Sequence, residues 1–287
     1  MILVVGSTGM LGSLITHRLV ANGAVVRVLS RRGTSDTFGV DAVQGDLKDR
    51  ASLDAACKGV TTVITTANSA QRGGADTVES VDMAGNLSLI DAARQAGVKQ
   101  FLFVSAAAVD EASPVPLFAA KARAERHLRE SGMRWTVLAP HVFMDVWFPM
   151  IIGAALAAGQ PVPLVAGGKS KHSMIAADDV AAFAAAAVDH PAAFNQRLVL
   201  GGPEPLSWLD VVDQASAIVG RPLPTELVEP GWPIPTLSPP MDQVIGNMAA
   251  GLEQQDVILD TTKTAETFGV TLTHAETVLR RMLAPSE

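Results

Sequence analysis

Three glycines, Gly6, Gly9 and Gly12, recur every third residue in the run Gly6-Ser7-Thr8-Gly9-Met10-Leu11-Gly12. Residues without a Cβ at this spacing let the backbone turn tightly and bring its N–H groups against a pyrophosphate. The chemistry they suit is dinucleotide binding, provided that a strand enters the turn and a helix leaves it. The competing reading is an ordinary tight strand-to-helix turn. A second group, Ser30-Arg31-Arg32, stands further along. NAD-preferring folds place an acidic residue about 20 residues after the glycine loop, to bind the ribose 2′-OH. Here that place holds Ser30 with two arginines behind it, and guanidinium groups give paired, charge-assisted hydrogen bonds to a 2′-phosphate. The expected cofactor is NADPH (NADP+) in preference to NADH; the alternative is a solvated basic turn.

The elements needed to hold these residues are legible on both sides. Ile2-Leu3-Val4-Val5 is a buried-strand run, and Leu11, Leu14, Ile15 and Leu19 have the spacing of a helix with one buried face. Val25–Leu29 predicts the second strand, and Ala42-Val43 a third that leads to Gly45-Asp46-Leu47. Leu53 and Ala56 mark a short helix, and Val60–Thr65 a β-branched strand. A long helical pattern covers about Ala75 to Ala96 and stops at Gly97. Phe101–Ser105, Trp135–Leu138 and Arg197–Leu200 predict further strands, with helices over Ala119–Ser131 and Asp178–Asp189 between them. This alternation predicts an α/β fold, a doubly wound parallel sheet of the Rossmann dinucleotide-binding class. Proline becomes dense from Pro222 to Pro240. The expected division is therefore a binding domain over 1–203, with part of 142–177 lining the substrate pocket, and a small C-terminal substrate lobe over 204–287.

Bulk properties narrow the partners. Of the 287 residues, 48% are hydrophobic, enough for a sizeable core, and the net charge of −7 argues against nucleic acid and anionic membranes. A lone Cys57 excludes an internal disulfide and suits a reducing compartment. With a strand beginning at Ile2 no signal peptide is expected, and the location expected is the cytoplasm. The apolar run Val142–Ala158 contains Asp145 and Pro149 and falls short of the ~20 residues of a membrane span, so it reads as a buried helix or a pocket wall. His17, His127, His190 and His274 show no metal-ligand pattern, and no metal is expected. The expected partner is a small-molecule substrate, the chain being a monomer or homodimer.

In order, the loop Gly6–Gly12, Gly45-Asp46-Leu47, Ala92–Val98, Phe103-Val104-Ser105, Lys121 with Glu125, Leu138-Ala139-Pro140, Met174–Val180 and Gly201–Glu204 run nearly the whole length. In this order they resemble an atypical short-chain dehydrogenase/reductase of the NmrA-like family, whose members include isoflavone, triphenylmethane and NADPH-dependent quinone reductases. The resemblance implies that Asp46 and Leu47 flank the adenine and that Thr66-Ala67-Asn68 line the cofactor near its ribose. It places Ser105 and Ala106 beside the nicotinamide, and Pro140-His141-Val142-Phe143 around it.

The chain contains no tyrosine. The Tyr-x-x-x-Lys pair of the wider superfamily is therefore impossible: Leu117 stands in the tyrosine slot before Lys121. The family match makes Lys121 an anchor for the nicotinamide ribose, or an acid toward the substrate if burial lowers its pKa. Against this, Lys121, Glu125 and Arg129 share one helical stripe, as a solvated face would show. His141 is a second acid candidate or a packed histidine, and Ser105 a third proton source. His172 and Ser173 read as loop residues bordering the pocket. Met144, Trp147, Phe148, Met174, Trp232 and Met241 are apolar candidates for a pocket that takes a flat aromatic substrate, or are core. The expected activity is NADPH-dependent hydride transfer to an electrophilic carbonyl, quinone or enone, as a ketoreductase or quinone reductase. The rival is a non-catalytic NADP-sensing regulator, and epimerase or dehydratase chemistry is disfavoured without tyrosine.

Overall fold

The structure, a computed structural model, describes residues 1–31, 38–69 and 74–284. In chain order its strands are β1 (Ile2–Val5), β2 (Val26–Ser30), β3 (Asp41–Gln44), β4 (Thr62–Thr65), β5 (Gln100–Val104), β6 (Arg134–Pro140), β7 (Val162–Val165), β8 (Gln196–Leu200) and β9 (Thr225–Val228). Among the described residues seven of them form one parallel sheet in the order β3-β2-β1-β4-β5-β6-β8. β1 is an interior strand, pairing Val5 with Leu29 of β2 and with Thr65 of β4. The strand order reverses there, which is where a doubly wound sheet opens a crevice beyond its strand ends. β1, β4 and β5 are buried along their whole length, because helices cover both faces and leave no position that needs a polar side chain. The doubly wound Rossmann-like class expected from the alternation is the one found.

The chain forms two compact units. One comprises Met1–Pro140, Ala177–Leu200 and Thr264–Val270, the other His141–Ala176, Gly201–Lys263 and Thr271–Glu287. A single cut at residue 203 therefore does not describe the division. The apolar Val142–Ala158 run belongs to the second unit, where Trp147, Phe148 and Ile152 pack in a core with Trp208, Val211 and Leu279. It forms a helix at Met144–Phe148, a π-wound turn at Pro149–Gly153 and a helix at Ala154–Ala158. Among the described residues no helix is long and apolar enough to cross a membrane. Conversely, Thr264–Val270 belongs to the first unit because Phe268 meets Phe183 edge-on at 6.2 Å.

Two local features depart from the sequence pattern. The helix expected from about Ala75 begins at Val78 and is π-wound to Gly85 before continuing as α-helix over Asn86–Gln95. The buried Asn86 amide donates to the carbonyls of Val81 and Asp82, both at 3.2 Å, competing with the helical ladder as inserted polar groups do. The pairing of β7 with β9 was not foreseen, since each is four residues long and Pro163 interrupts the first.

Buried Gln100, at the start of β5, holds the chain beyond the Ala177–Ala186 helix to the sheet: its Nε2 donates to the Ala187 carbonyl and its Oε1 accepts from the Asp189 N–H, both at 2.8 Å. Gln100→Leu strands a buried donor and a buried acceptor. It should lower the unfolding free energy by roughly 2 kcal/mol, read from urea titration at pH 7.

Candidate active site

The glycine loop closes on itself through a hydrogen bond from the Gly9 N–H to the Gly6 carbonyl at 3.0 Å. Gly6 has φ +88°, and a Cβ there would lie 2.6 Å from Thr66 Oγ1. A Cβ on Gly12 would run into the Gly6 carbonyl oxygen. Both glycines are thus demanded by close approach of the loop to its own backbone and to Thr66. The following helix, Met10–Ala21, has no side-chain cap and no acidic residue in its first turn. Its first N–H groups and the positive end of its dipole face the loop. Ser7 is buried, and its hydroxyl finds no partner among the described residues. An orphaned hydroxyl in a cradle that a Cβ would fill is what a bound pyrophosphate would complete, so these residues fit a dinucleotide.

A cleft beyond the loop is lined by Gly6, Thr8, Ser30, Arg31, Asp46, Leu47 and Ala67, together with Asp76. The structure therefore gathers residues from the ends of β1, β2, β3 and β4. Gly45 lets the chain pass Ser52, whose hydroxyl accepts from the Asp46 N–H at 3.1 Å. The Asp46 carboxylate accepts from the Lys48 N–H at 2.8 Å, and Leu47 is buried against Gly85. Thr66 Oγ1 donates to the Gly6 carbonyl at 3.3 Å, and Asn68 Nδ2 to the Thr66 carbonyl at 3.3 Å. Arg32 lies outside the described residues. Arg31 does not stand alone: its Nη1 meets Asp76 Oδ2 at 2.8 Å, and Lys48 Nζ meets the other oxygen of Asp76 at 2.5 Å. Sequence spacing does not bring Asp76 forward, since it reaches the cleft from before the helix that follows β4.

Past β5 the structure joins Ser105, Arg129 and Arg197 around the Glu125 carboxylate, with Lys121 one helical turn away. Ser105 Oγ donates to Glu125 Oε1 at 2.6 Å. Glu125 Oε2 takes Arg129 Nη2 at 2.5 Å and Arg197 Nε at 3.0 Å. Arg197 Nη2 also donates to the Ala106 carbonyl at 2.7 Å. Lys121 is buried, donates to the Val104 carbonyl at 3.0 Å and stands 5.3 Å from the Phe103 ring centroid. The solvated-stripe reading of Lys121, Glu125 and Arg129 fails for the first two, because the Pro116–Glu130 helix turns that stripe onto β5. Burial pushes the Lys121 ammonium below the ordinary lysine range, opposed by the negative charges of Asp82 and Glu125. Arg197 was missed because a lone arginine in a strand carries no spacing signal.

In the second unit, His141 Nε2 lies 3.1 Å from His172 Nδ1. His172 lies outside the named strands and helices, as a loop residue does, and is fully buried, its backbone bridged to Leu206 and Val257. Burial, with the neighbouring His172, pushes His141 down to about 4. Phe143 bridges to Ile175, fixing Val142 and Met144 on either side through hydrogen bonds of 2.8 and 3.0 Å. Met144, Trp147, Phe148 and Met174 are buried together, and the Trp147 and Trp208 rings are 5.9 Å apart. Trp232 is 65% exposed, held in a turn by its N–H to the Glu229 carbonyl, and stands outside that cluster. Pro140 closes β6 in the first unit.

A protein-family model described as the NmrA-like family matches residues 1–275. The chain belongs to the NmrA-like family. It is 33% identical over 228 residues to the NAD(P)H azoreductase of Xenophilus azovorans, covering 78% of this chain and 75% of that one. It is also 33% identical over 230 residues to (4-alkanoyl-5-oxo-2,5-dihydrofuran-3-yl)methyl phosphate reductase of Streptomyces griseus, covering 78% and 75%. Among solved structures, the Citrobacter sp. triphenylmethane reductase complexed with NADP(H) shares the fold at a TM-score of 0.82 with 19% identity, covering 98% of this chain and 99% of that one.

The depressed His141 has a consequence for stability. Between about pH 6.5 and pH 4 the unfolded chain binds a proton there that the folded chain refuses, so stability is full above pH 6.5 and falls as the pH drops. The loss due to His141 should be on the order of 3 kcal/mol by pH 4. Urea unfolding of wild type and His141→Gln across this range should show the wild type losing more; parallel curves would show that His141 is not buried neutral.

Proposed function

We propose that this chain takes hydride from NADPH and delivers it to an electrophilic carbonyl, quinone or conjugated enone of a small aromatic molecule. It is an NAD(P)H-dependent reductase of the NmrA-like family; the preference for NADPH and the substrate class are the finer parts of the proposal. The observation that carries it is the glycine cradle with the orphaned Ser7 hydroxyl, beside a cleft lined by Arg31 and by Asp76, which Lys48 also meets. Gly6, Ser7, Gly9 and the first turn after Met10 would hold the pyrophosphate, with Leu11 and Gly12 behind them. Asp46, Leu47 and Ala67 would flank the adenosine, and Arg31, with Lys48, would meet the 2′-phosphate. The bound nicotinamide supplies the hydride.

The chain's own groups then set the proton chemistry. Glu125 holds the Ser105 hydroxyl at 2.6 Å, so Ser105 is an orienting group at the end of β5 more than a free acid. Lys121 spends one N–H on the Val104 carbonyl. Its remaining protons can be directed to the ribose or to an incoming oxyanion, and burial makes them easier to give up. Within the second unit, Met144, Trp147, Phe148 and Met174 supply an apolar cluster and His141, neutral near pH 7, a hydrogen-bonding group. A quinone or extended enone suits a site without tyrosine, because its reduced oxyanion is delocalised and asks little of a general acid. That two reductases stand among the relatives supports this reading.

NADPH should bind at least tenfold more tightly than NADH, and Arg31→Ala should erase the difference, both by calorimetry; equal affinities in the wild type would sink the NADPH assignment. Nicotinamide absorbance followed with a panel of quinones, azo dyes and aromatic ketones should show turnover. Tight binding with no oxidation across the panel would point instead to a cofactor-sensing role. Lys121→Met, which keeps the buried stem without the charge, should lower kcat by roughly 100-fold in folded protein.

A further inference from the structure

Around the ribose end of the cleft, opposite charges are matched among the described residues: Arg31 and Lys48 face Asp46 and Asp76. Asp76 is the deepest of the four. Its side chain is 8% exposed against 56% for Arg31 and 32% for Lys48. It binds one cation with each oxygen, Arg31 through Oδ2 at 2.8 Å and Lys48 through Oδ1 at 2.5 Å, while Lys48 lies 3.9 Å from Asp46. A carboxylate that spreads its two oxygens over a guanidinium and an ammonium uses the donors that a phosphate would use. Asp76 also lines the cleft itself, alongside Ser30 and Arg31.

We propose that Asp76 is the specificity-tuning residue of this cofactor site, a built-in competitor that holds Arg31 and Lys48 until a 2′-phosphate takes them. The inference rests on the NADPH reading above and deepens it. It follows from charge and position. A 2′-phosphate is close to doubly negative at neutral pH, so it must win two cations already neutralised and must do so beside a carboxylate that is poorly screened by water. A ribose that carries only a 2′-hydroxyl meets the opposite situation, because a carboxylate at this place accepts its hydrogen bond. Asp76 therefore opposes NADPH and favours NADH, and narrows the gap that Arg31 and Lys48 create. Asp76 also explains how a site with two cations at the ribose end can keep them ordered in the absence of any phosphate.

The test uses the full chain and two fragment probes, adenosine 2′-monophosphate and adenosine 5′-monophosphate, with binding read by calorimetry, so that no turnover is needed. Asp76→Asn removes the charge and keeps the shape. It should tighten the 2′-monophosphate and NADPH at least tenfold, leave the 5′-monophosphate within about twofold, and raise the NADPH-to-NADH affinity ratio. In an Arg31→Ala/Lys48→Ala background the same substitution should no longer change the 2′-monophosphate. An unchanged or weakened 2′-monophosphate in Asp76→Asn overturns the proposal and makes Asp76 an organiser of the two cations. If the wild type does not prefer the 2′- over the 5′-monophosphate and ignores the loss of Arg31 and Lys48, the NADPH reading falls and this proposal with it. If that preference depends on Arg31 and Lys48 while Asp76→Asn changes nothing, only the role of Asp76 falls. Should Asp76→Asn fail to fold, Asp76→Ser removes the same charge with less bulk and is held to the same outcomes.

Discussion

Glu125 is a buried carboxylate, and a charge out of water is tolerated only where its partners are complete. Its oxygens take Ser105, Arg129 and Arg197, three residues that come from the end of β5, from its own helix and from β8. The surroundings of Lys121 and the turn after β5 depend on that closure. Arg197 reaches on to the carbonyls of Ala106 and Ala107, so the turn that leaves β5 is shaped by the same cation that neutralises the carboxylate. Lys121, one helical turn before Glu125, is carried inward with it and meets the Val104 carbonyl. Removing either arginine would leave the buried carboxylate less fully compensated, which is why such a network is rigid even where its net contribution to stability is small.

The glycine loop is built on a different constraint, the absence of atoms. Gly12 and Gly6 sit where a Cβ would strike the backbone or Thr66, and Gly85 where it would strike Leu47. Each lets one layer approach another more closely than side chains permit. The outcome is a bare N-terminal helix turn at one end of the cleft and a dense cluster of charge at the other. On the proposed reading, steric emptiness would accommodate the part of a dinucleotide that is the same in every such cofactor, whereas paired charges would act on the part that differs between them.

These two halves answer to different kinds of sequence evidence. The cradle depends on neighbours within seven residues of one another, so spacing alone reveals it. The charge cluster depends on Arg31, Lys48 and Asp76, which are brought together by parallel strand ends that lie far apart along the chain. The same contrast separates Lys121 from Arg197. A family pattern exposes the lysine, while the arginine that completes its surroundings arrives from an edge strand with no pattern around it.

The sequence by itself determined the alternation of strands and helices, the order that makes a doubly wound sheet, the glycine cradle and the absence of a tyrosine acid. These follow from residue type and local periodicity, which act over a few turns of helix or a single strand. Only the tertiary structure decided that Lys121 and Glu125 face inward, that His141 is paired with a buried His172, that Val142–Ala158 belongs with the C-terminal segments, and that Arg31 is already engaged by Asp76. Those outcomes turn on which burial and charge partners meet across the fold, and partners separated by tens of residues leave no trace in the spacing of either one.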